Sequence, residues 1–287
     1  MSEKGDLEKI KQVFSYINQE KIIMEEMGDI TDGFKRTLPK LLDQMWHYLQ
    51  KEAVKLPAFL VSVMPKFLSQ MSREGDLEKI KQIFAYVNQE NISEEEMGVQ
   101  NNEVNEGMKP TLVDNNSGYK GVAPLALAAA RGHHQVCEYL ITEQKANLEA
   151  RDDDQRTALI QANRIEVIEV LLKNNASVKA KDKFGYHAAY RAALYGNLDA
   201  LTMLVENDGD VIDLKGFNGE TPLIAASRSG WINVCKYLVE EQNANVHLKD
   251  NSGKTAIHHP IIQQTSIKNN HIIKILRKEG LKEDVEF

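Results

Sequence analysis

Residues 221–250 read TPLIAASRSGWINVCKYLVEEQNANVHLKD, and the same phrase returns along the second half of the chain. APLALAAARGHHQVCEYLITEQKANLEARD begins at Ala123, TALIQANRIEVIEVLLKNNASVKAKD at Thr157 and HAAYRAALYGNLDALTMLV at His187. A looser fifth copy opens with TAIHHP at Thr255 and ends in HIIKILRKEG at Gly280. Aligned on the Thr-like positions 123, 157, 187, 221 and 255, the steps are 34, 30, 34 and 34 residues. A fixed period of that size marks an array of stacked units.

Each copy has the grammar of two helices. Paired alanines at 128–129, 192–193 and 225–226 make a short helix with a flat face that a neighbouring helix can approach closely. Gly132, Gly196 and Gly230 then stop it, because glycine accepts the left-handed conformation at such an end. A second helix follows with apolar residues at i, i+3 and i+4, as in Val136, Tyr139, Leu140 and Val234, Tyr237, Leu238. Asp152, Asp182 and Asp250 precede the next unit, two of them as Asp-x-x-Gly, which suits a tight turn. One helix pair cannot bury both faces; several in series can.

This pattern resembles that of ankyrin repeat proteins, roughly Asp-x-x-Gly-x-Thr-Pro-Leu-His-x-Ala-Ala-x-x-Gly-His before a Val/Leu-rich helix. The copy at Gly216 follows it through Gly219, Thr221, Pro222, Leu223, Ala225 and Gly230. The resemblance covers residues 118 to about 280, five units starting near 118, 152, 182, 216 and 250. It implies an all-α solenoid of helix-turn-helix units joined by short hairpin-like turns. The second unit lacks about three residues around Asn163, the third has His187 and Tyr190 where Thr and His would stand, and the fifth carries Pro260 and an insert, as a terminal cap can.

The resemblance also implies a non-catalytic scaffold that binds another protein on a concave face of inner helices and hairpin tips. Carried onto this chain, that face comprises Arg156, Lys183, Phe184, Tyr186, Tyr195, Phe217, Asn218, Glu220, Arg228 and Lys254. The aromatics carry the expectation, since solvated tips rarely need such residues to fold and exposed clusters of them mark interfaces. Packing between neighbouring hairpins is the competing reading of the same residues.

The first 117 residues are less regular. Ser2–Gly28 and Ser72–Gly98 are a duplication with 19 of 27 positions identical. The set Leu77, Ile80, Phe84 and Val87 has helical spacing, and Gly-Asp-Leu-Glu-Lys-Ile resembles the start of a second ankyrin helix. We read 1–98 as divergent, helical, ankyrin-like units, 99–117 as a linker or long loop and 118–287 as the regular array. Leu38–Leu49, LPKLLDQMWHYL, is similar to the opening of an F-box and is one residue short of it. That supports an alternative in which the chain is a ubiquitin-ligase adaptor and the repeats select a target.

Composition bounds the rest. The 287 residues are 42% hydrophobic with a formal charge of −7, enough to bury a core and the wrong sign for a phosphate-backbone binder. The longest apolar stretch, Leu56–Leu68, has 13 residues and is broken by Pro57 and Pro65, short of the roughly 20 that cross a bilayer. A soluble, cytoplasmic monomer is the expectation, with no cofactor and no nucleic-acid partner. Two cysteines exclude a disulfide-built scaffold; Cys137 and Cys235 occupy equivalent helix positions and read as buried small residues. Phosphate loops, His-Glu-x-x-His and nucleophile elbows are all missing. His258 and His259 adjoin but would point about 100° apart on a helix, which suits a shared metal poorly.

Overall fold

The computed structural model describes residues 58–89, 92, 112–114, 122–259 and 267–278. The first copy of the duplication, the F-box-like stretch, most of the 99–117 linker and the insert after His259 lie outside them. In chain order the helices are α1 (Ala58–Glu74), α2 (Leu77–Gln89), α3 (Pro124–Arg131), α4 (His134–Thr142), α5 (Ala158–Gln161), α6 (Ile165–Lys173), α7 (Ala188–Tyr195), α8 (Leu198–Asn207), α9 (Pro222–Ser229), α10 (Ile232–Lys236) and α11 (Ile267–Lys278). α10 runs on through a π-helical turn, Tyr237–Glu241. No strand forms among the described residues, so the all-α solenoid read from the sequence is the fold observed.

The helices fall into two rows. Inner helices α1, α3, α5, α7 and α9 pack on one another in series, while α4, α6 and α8 form an outer row and α10 meets α11. The small residues are what allow the inner row: Ala128, Ala129, Ala192, Ala193, Ala225 and Ala226 are all buried. Starts are capped by Thr221, whose hydroxyl accepts from the Ile224 amide at 3.3 Å, and by Asn197, which accepts from Ala200 at 3.2 Å. Stops come at Gly132, Gly196 and Gly230, with φ of 84°, 74° and 79°. In the second unit α5 has only four residues, and the chain turns through Ala162 and Asn163 into α6 without a glycine.

Between units the chain turns through narrow hairpins. The amides of Asp152, Asp182, Gly216 and Asp250 donate to the carbonyls of Arg156, Tyr186, Glu220 and Lys254 at 3.2, 2.9, 2.7 and 2.9 Å. Each aspartate then braces its own turn: Asp182 Oδ1 accepts from the Phe184 and Tyr186 amides at 2.9 and 2.8 Å, and Asp152 and Asp250 repeat the arrangement. Neighbouring tips are tied by Lys183 N–H to Asp154 O at 3.0 Å and Asn251 N–H to Asn218 O at 2.9 Å. A basic ladder stitches the stems. Arg151, Lys181 and Lys215 each donate to the carbonyl of the equivalent residue one unit on, Lys181, Lys215 and Lys249, at 2.8, 2.6 and 2.9 Å.

α1 and α2 enter the stack by the same rules. Gly75, at φ 81°, separates them as Gly196 separates α7 from α8. The residue after Gly132, Gly196 and Gly230 reaches back to the preceding unit. His133 Nε2 lies 3.0 Å from Arg73 O, Asn197 Nδ2 donates to Asn163 O at 3.2 Å and Trp231 Nε1 to Leu194 O at 2.8 Å. Farther on, Leu112 and Val113 are buried and Asp114 accepts from the Asn147 amide at 2.8 Å, as Asp213 accepts from Asn245 at 3.1 Å. The described residues belong to a single compact unit.

Candidate partner-binding surface

The hairpin tips of the third and fourth units carry an aromatic cluster. Tyr186 and Phe217, one unit apart, stack with ring centroids 5.3 Å apart and planes at 18°. Tyr186 also leans on Tyr190 at 5.1 Å and on Phe184 at 6.3 Å. Tyr186 and Phe217 are therefore half-buried against each other, whereas Phe184 remains 50% exposed with the Lys183 ammonium 5.1 Å above its ring. Two of these aromatics glue adjacent hairpins, and one faces solvent.

Behind the tips lies a buried polar network. Tyr190 donates to Glu220 Oε2 at 2.7 Å, and Arg228 reaches the same oxygen at 3.0 Å and the phenol oxygen at 3.3 Å. Burial, then the Glu220 carboxylate, push the Tyr190 hydroxyl well above its usual pKa, so it stays a donor. Glu220, expected on the rim, is instead only 5% exposed; its carboxylate turns inward and positions Arg228. Arg156 is likewise drawn into its own hairpin by Asp152 at 2.8 Å and Asp154 at 3.1 Å. Lys183 pairs with Asp154 and stays exposed, Asn218 is exposed and Lys254 is half-buried.

His187 replaces the usual Thr and serves two ends. Nδ1 accepts from the Tyr190 amide at 3.3 Å, and Nε2 lies 2.9 Å from Leu214 O in the following loop. Fully enclosed, it is pushed down by burial to a pKa of about 4, against the partly offsetting bond to Leu214. His258 keeps the motif role, its Nδ1 2.9 Å from the Thr255 hydroxyl.

Glu220, Asp250 and His259 place one potential ligand atom each within 4.8 Å of one another. Each already has a partner of opposite or complementary character: Arg228 holds Glu220, while His259 Nε2 sits 3.1 Å from Asp250 Oδ2. The cluster closes the hairpin of the fifth unit and is satisfied by protein groups. Cys137 and Cys235 are buried and free, and burial pushes both thiols up to about 12, far from nucleophilic use.

At the far end of the inner helices is a second aromatic feature. Tyr195, the last residue of α7, is 64% exposed, with the Arg191 guanidinium 5.6 Å from its ring. Beside it Trp231, 41% exposed, lies over Gly196, where any Cβ would collide with the indole. Sequence reading missed Trp231. The signal was available: it occupies the position of His133 and Asn197, where the other units keep a polar residue.

No helix among the described residues is long and apolar enough to cross a membrane. A family description, Ankyrin repeats (3 copies), matches residues 68–182 and 185–286. The chain is 36% identical over 109 residues to the Xenopus tropicalis Neurogenic locus notch homolog protein 1, covering 37% of this chain and 4% of that protein. It is 35% identical over 91 residues to the Saccharomyces cerevisiae Probable 26S proteasome regulatory subunit p28, covering 32% and 40%. Against the Caenorhabditis elegans Poly [ADP-ribose] polymerase tankyrase it is 32% identical over 158 residues, covering 52% and 7%. The chain thus spans less than half the length of each of these relatives. With the family pattern matched over most of the sequence and the stacked helix pairs to go with it, the chain belongs to the ankyrin repeat family.

Proposed function

We propose that this chain is a non-catalytic scaffold that holds a partner protein on its concave face, centred on the third and fourth units of the array. One observation carries the reading. Among the described residues the large hydrophobic side chains left exposed are Phe184, Tyr195 and Trp231, and all three belong to those two units. Ankyrin repeats are a general protein-interaction module, and exposed aromatics in such a place supply binding energy when a partner covers them. Glu220 and Arg228 act from behind, holding Tyr190 and the hairpins in register. Residues 1–98 enter as a divergent helical lead-in, with α1 and α2 docked on the regular array, and 99–117 as the connection. The chain works in this proposal as a soluble intracellular monomer.

The test compares two double variants of equal thermal stability. Phe184→Ala with Tyr195→Ala removes two of the three exposed rings; Lys236→Ala with Glu240→Ala alters outer helix α10 and its π-helical turn. A partner recovered by crosslinking from the native source should bind the first variant at least about tenfold more weakly than the parent and the second normally. Normal binding by the first and weakened binding by the second would refute the concave-face reading.

A further inference from the structure

The inner helices of the regular array have a charge the whole chain does not share. Inner helices α3, α5, α7 and α9 contain three arginines, Arg131, Arg191 and Arg228, and no Asp or Glu. The outer elements α4, α6, α8 and α10 with its π-helical turn carry Glu138, Glu166, Glu169, Asp199, Glu206, Glu240 and Glu241 against Lys173 and Lys236. In a chain of net charge −7, acid is thus concentrated on the outer row and absent from inner helices α3, α5, α7 and α9. Folding does not demand this: Arg131 is exposed, and Arg191 is half-exposed over an exposed ring.

Arg228 is neutralised by Glu220, but its neighbours are not. Arg131, Arg164 and Arg191 form no ion pair with another described residue, and Arg164 lays its stem over Gly132 beside Arg131. The guanidinium of Arg191 leads to Tyr195, and Trp231 follows over Gly196. Cationic groups in the first three units are therefore followed by aromatic ones in the third and fourth. Successive packed helices lie about 8–10 Å apart, and an extended chain advances about 3.3 Å per residue. Carboxylates on every third residue of such a chain match one unit each, with apolar side chains where the chain reaches Tyr195 and Trp231.

We infer that the concave face takes an extended acidic polypeptide segment, whose carboxylates meet Arg131, Arg164 and Arg191 and whose apolar residues lie on Tyr195 and Trp231. The inference deepens the protein-binding proposal and rests on it. A nucleic acid fits less well: it carries a charge about every 1.7 Å of a duplex axis and about every 3.4 Å along one strand, and three arginines without an ion partner among the described residues, backed by an acidic outer row, would neutralise little of it.

The probe is a fluorescein-labelled dodecapeptide, Glu-Ser-Phe repeated four times, with its Gln-for-Glu and Lys-for-Glu counterparts, titrated with the full chain by anisotropy. The Glu peptide should bind about tenfold more tightly than the Gln peptide at low salt, and the gap should shrink toward 0.5 M NaCl. Arg131→Gln with Arg191→Gln should abolish the gap, Arg131→Glu alone should reverse it in favour of the Lys peptide, and Lys236→Gln should leave it intact. Equal binding of Glu and Gln peptides, absence of binding by the Glu peptide, or tighter binding of a labelled twelve-nucleotide single strand would overturn the inference. If Glu and Gln peptides bind equally and both are lost with Tyr195→Ala, the acidic partner falls while the protein-binding face stands. If a native partner binds wherever these residues are altered, the face itself falls.

Discussion

Tyr190 stands where the ankyrin pattern has its histidine, and three other replacements accompany it. His187 takes the place of Thr, Gly216 the place of the hairpin aspartate, and Glu220 supplies the missing carboxylate. The physical link is volume. A Cβ at Gly216 would lie 2.7 Å from the Tyr190 ring, so the larger ring is accommodated only because the aspartate is gone. Tyr190→Phe should then leave Glu220 with Arg228 as its side-chain partner in this network, costing about 1–3 kcal/mol. A double-mutant cycle with Glu220→Gln, measured by urea unfolding, should show coupling of about 0.5–3 kcal/mol; additive effects would mean the network is not a unit. His187 makes the second prediction. Unfolded, it takes up a proton near pH 6.5; folded, it resists until about pH 4. The unfolded state therefore binds more protons between these values, and stability present above pH 6.5 is lost as pH falls through that window. The loss from His187 should approach about 2 kcal/mol by pH 5, and His187→Thr should flatten that part of the pH profile. His187 and Tyr190 were visible in the sequence as departures from the pattern. Their reason was not, because Glu220 lies 30 residues on and reads, by position alone, as a solvated tip.

Helices were the most legible level. Paired alanines, glycine stops and the apolar spacing of the second helix mark α3, α4, α7, α8 and α9, since each is a local consequence of sterics and burial. Leu223, 1% exposed on α9, tests the energetic side. Leu223→Ala should cost about 2–5 kcal/mol by equilibrium unfolding, because α7 and α10, packed against α9, cannot collapse into the space. What was not legible is how an element meets its neighbour. The π-helical turn after α10 carries no sequence mark. Trp231 looks like a helix start from its own surroundings; only the preceding unit explains it, by offering Gly196 beneath the indole and Leu194 O as acceptor. Tip aromatics divided for the same reason: whether Tyr186 is exposed depends on Phe217, in the next unit.

Across the whole molecule the same few contacts recur, so stability should be a sum over neighbouring units with little reach beyond them. The bond from His133 to Arg73 repeats, at the head of the regular array, those from Asn197 to Asn163 and Trp231 to Leu194. By that equivalence α1 covers the face of α3 as α7 covers that of α9. A fragment from Gly118 to Phe287 would keep every internal interface of the regular units yet open the α3 face, whose Leu125, Ala128 and Ala129 are buried in the longer chain. It should remain helical by circular dichroism, melt several degrees below a fragment that begins at Ala58, and bind an apolar dye that the longer fragment excludes. His133→Ala in the longer fragment should move its melting part of the way toward the shorter one, because it removes one of the ties that α1 makes. A Gly118 fragment that melts with the longer one would mean that α1 and α2 merely rest on the array. In that case the period of about 34 residues, and not the shared tie after each glycine, would mark where cooperative folding begins.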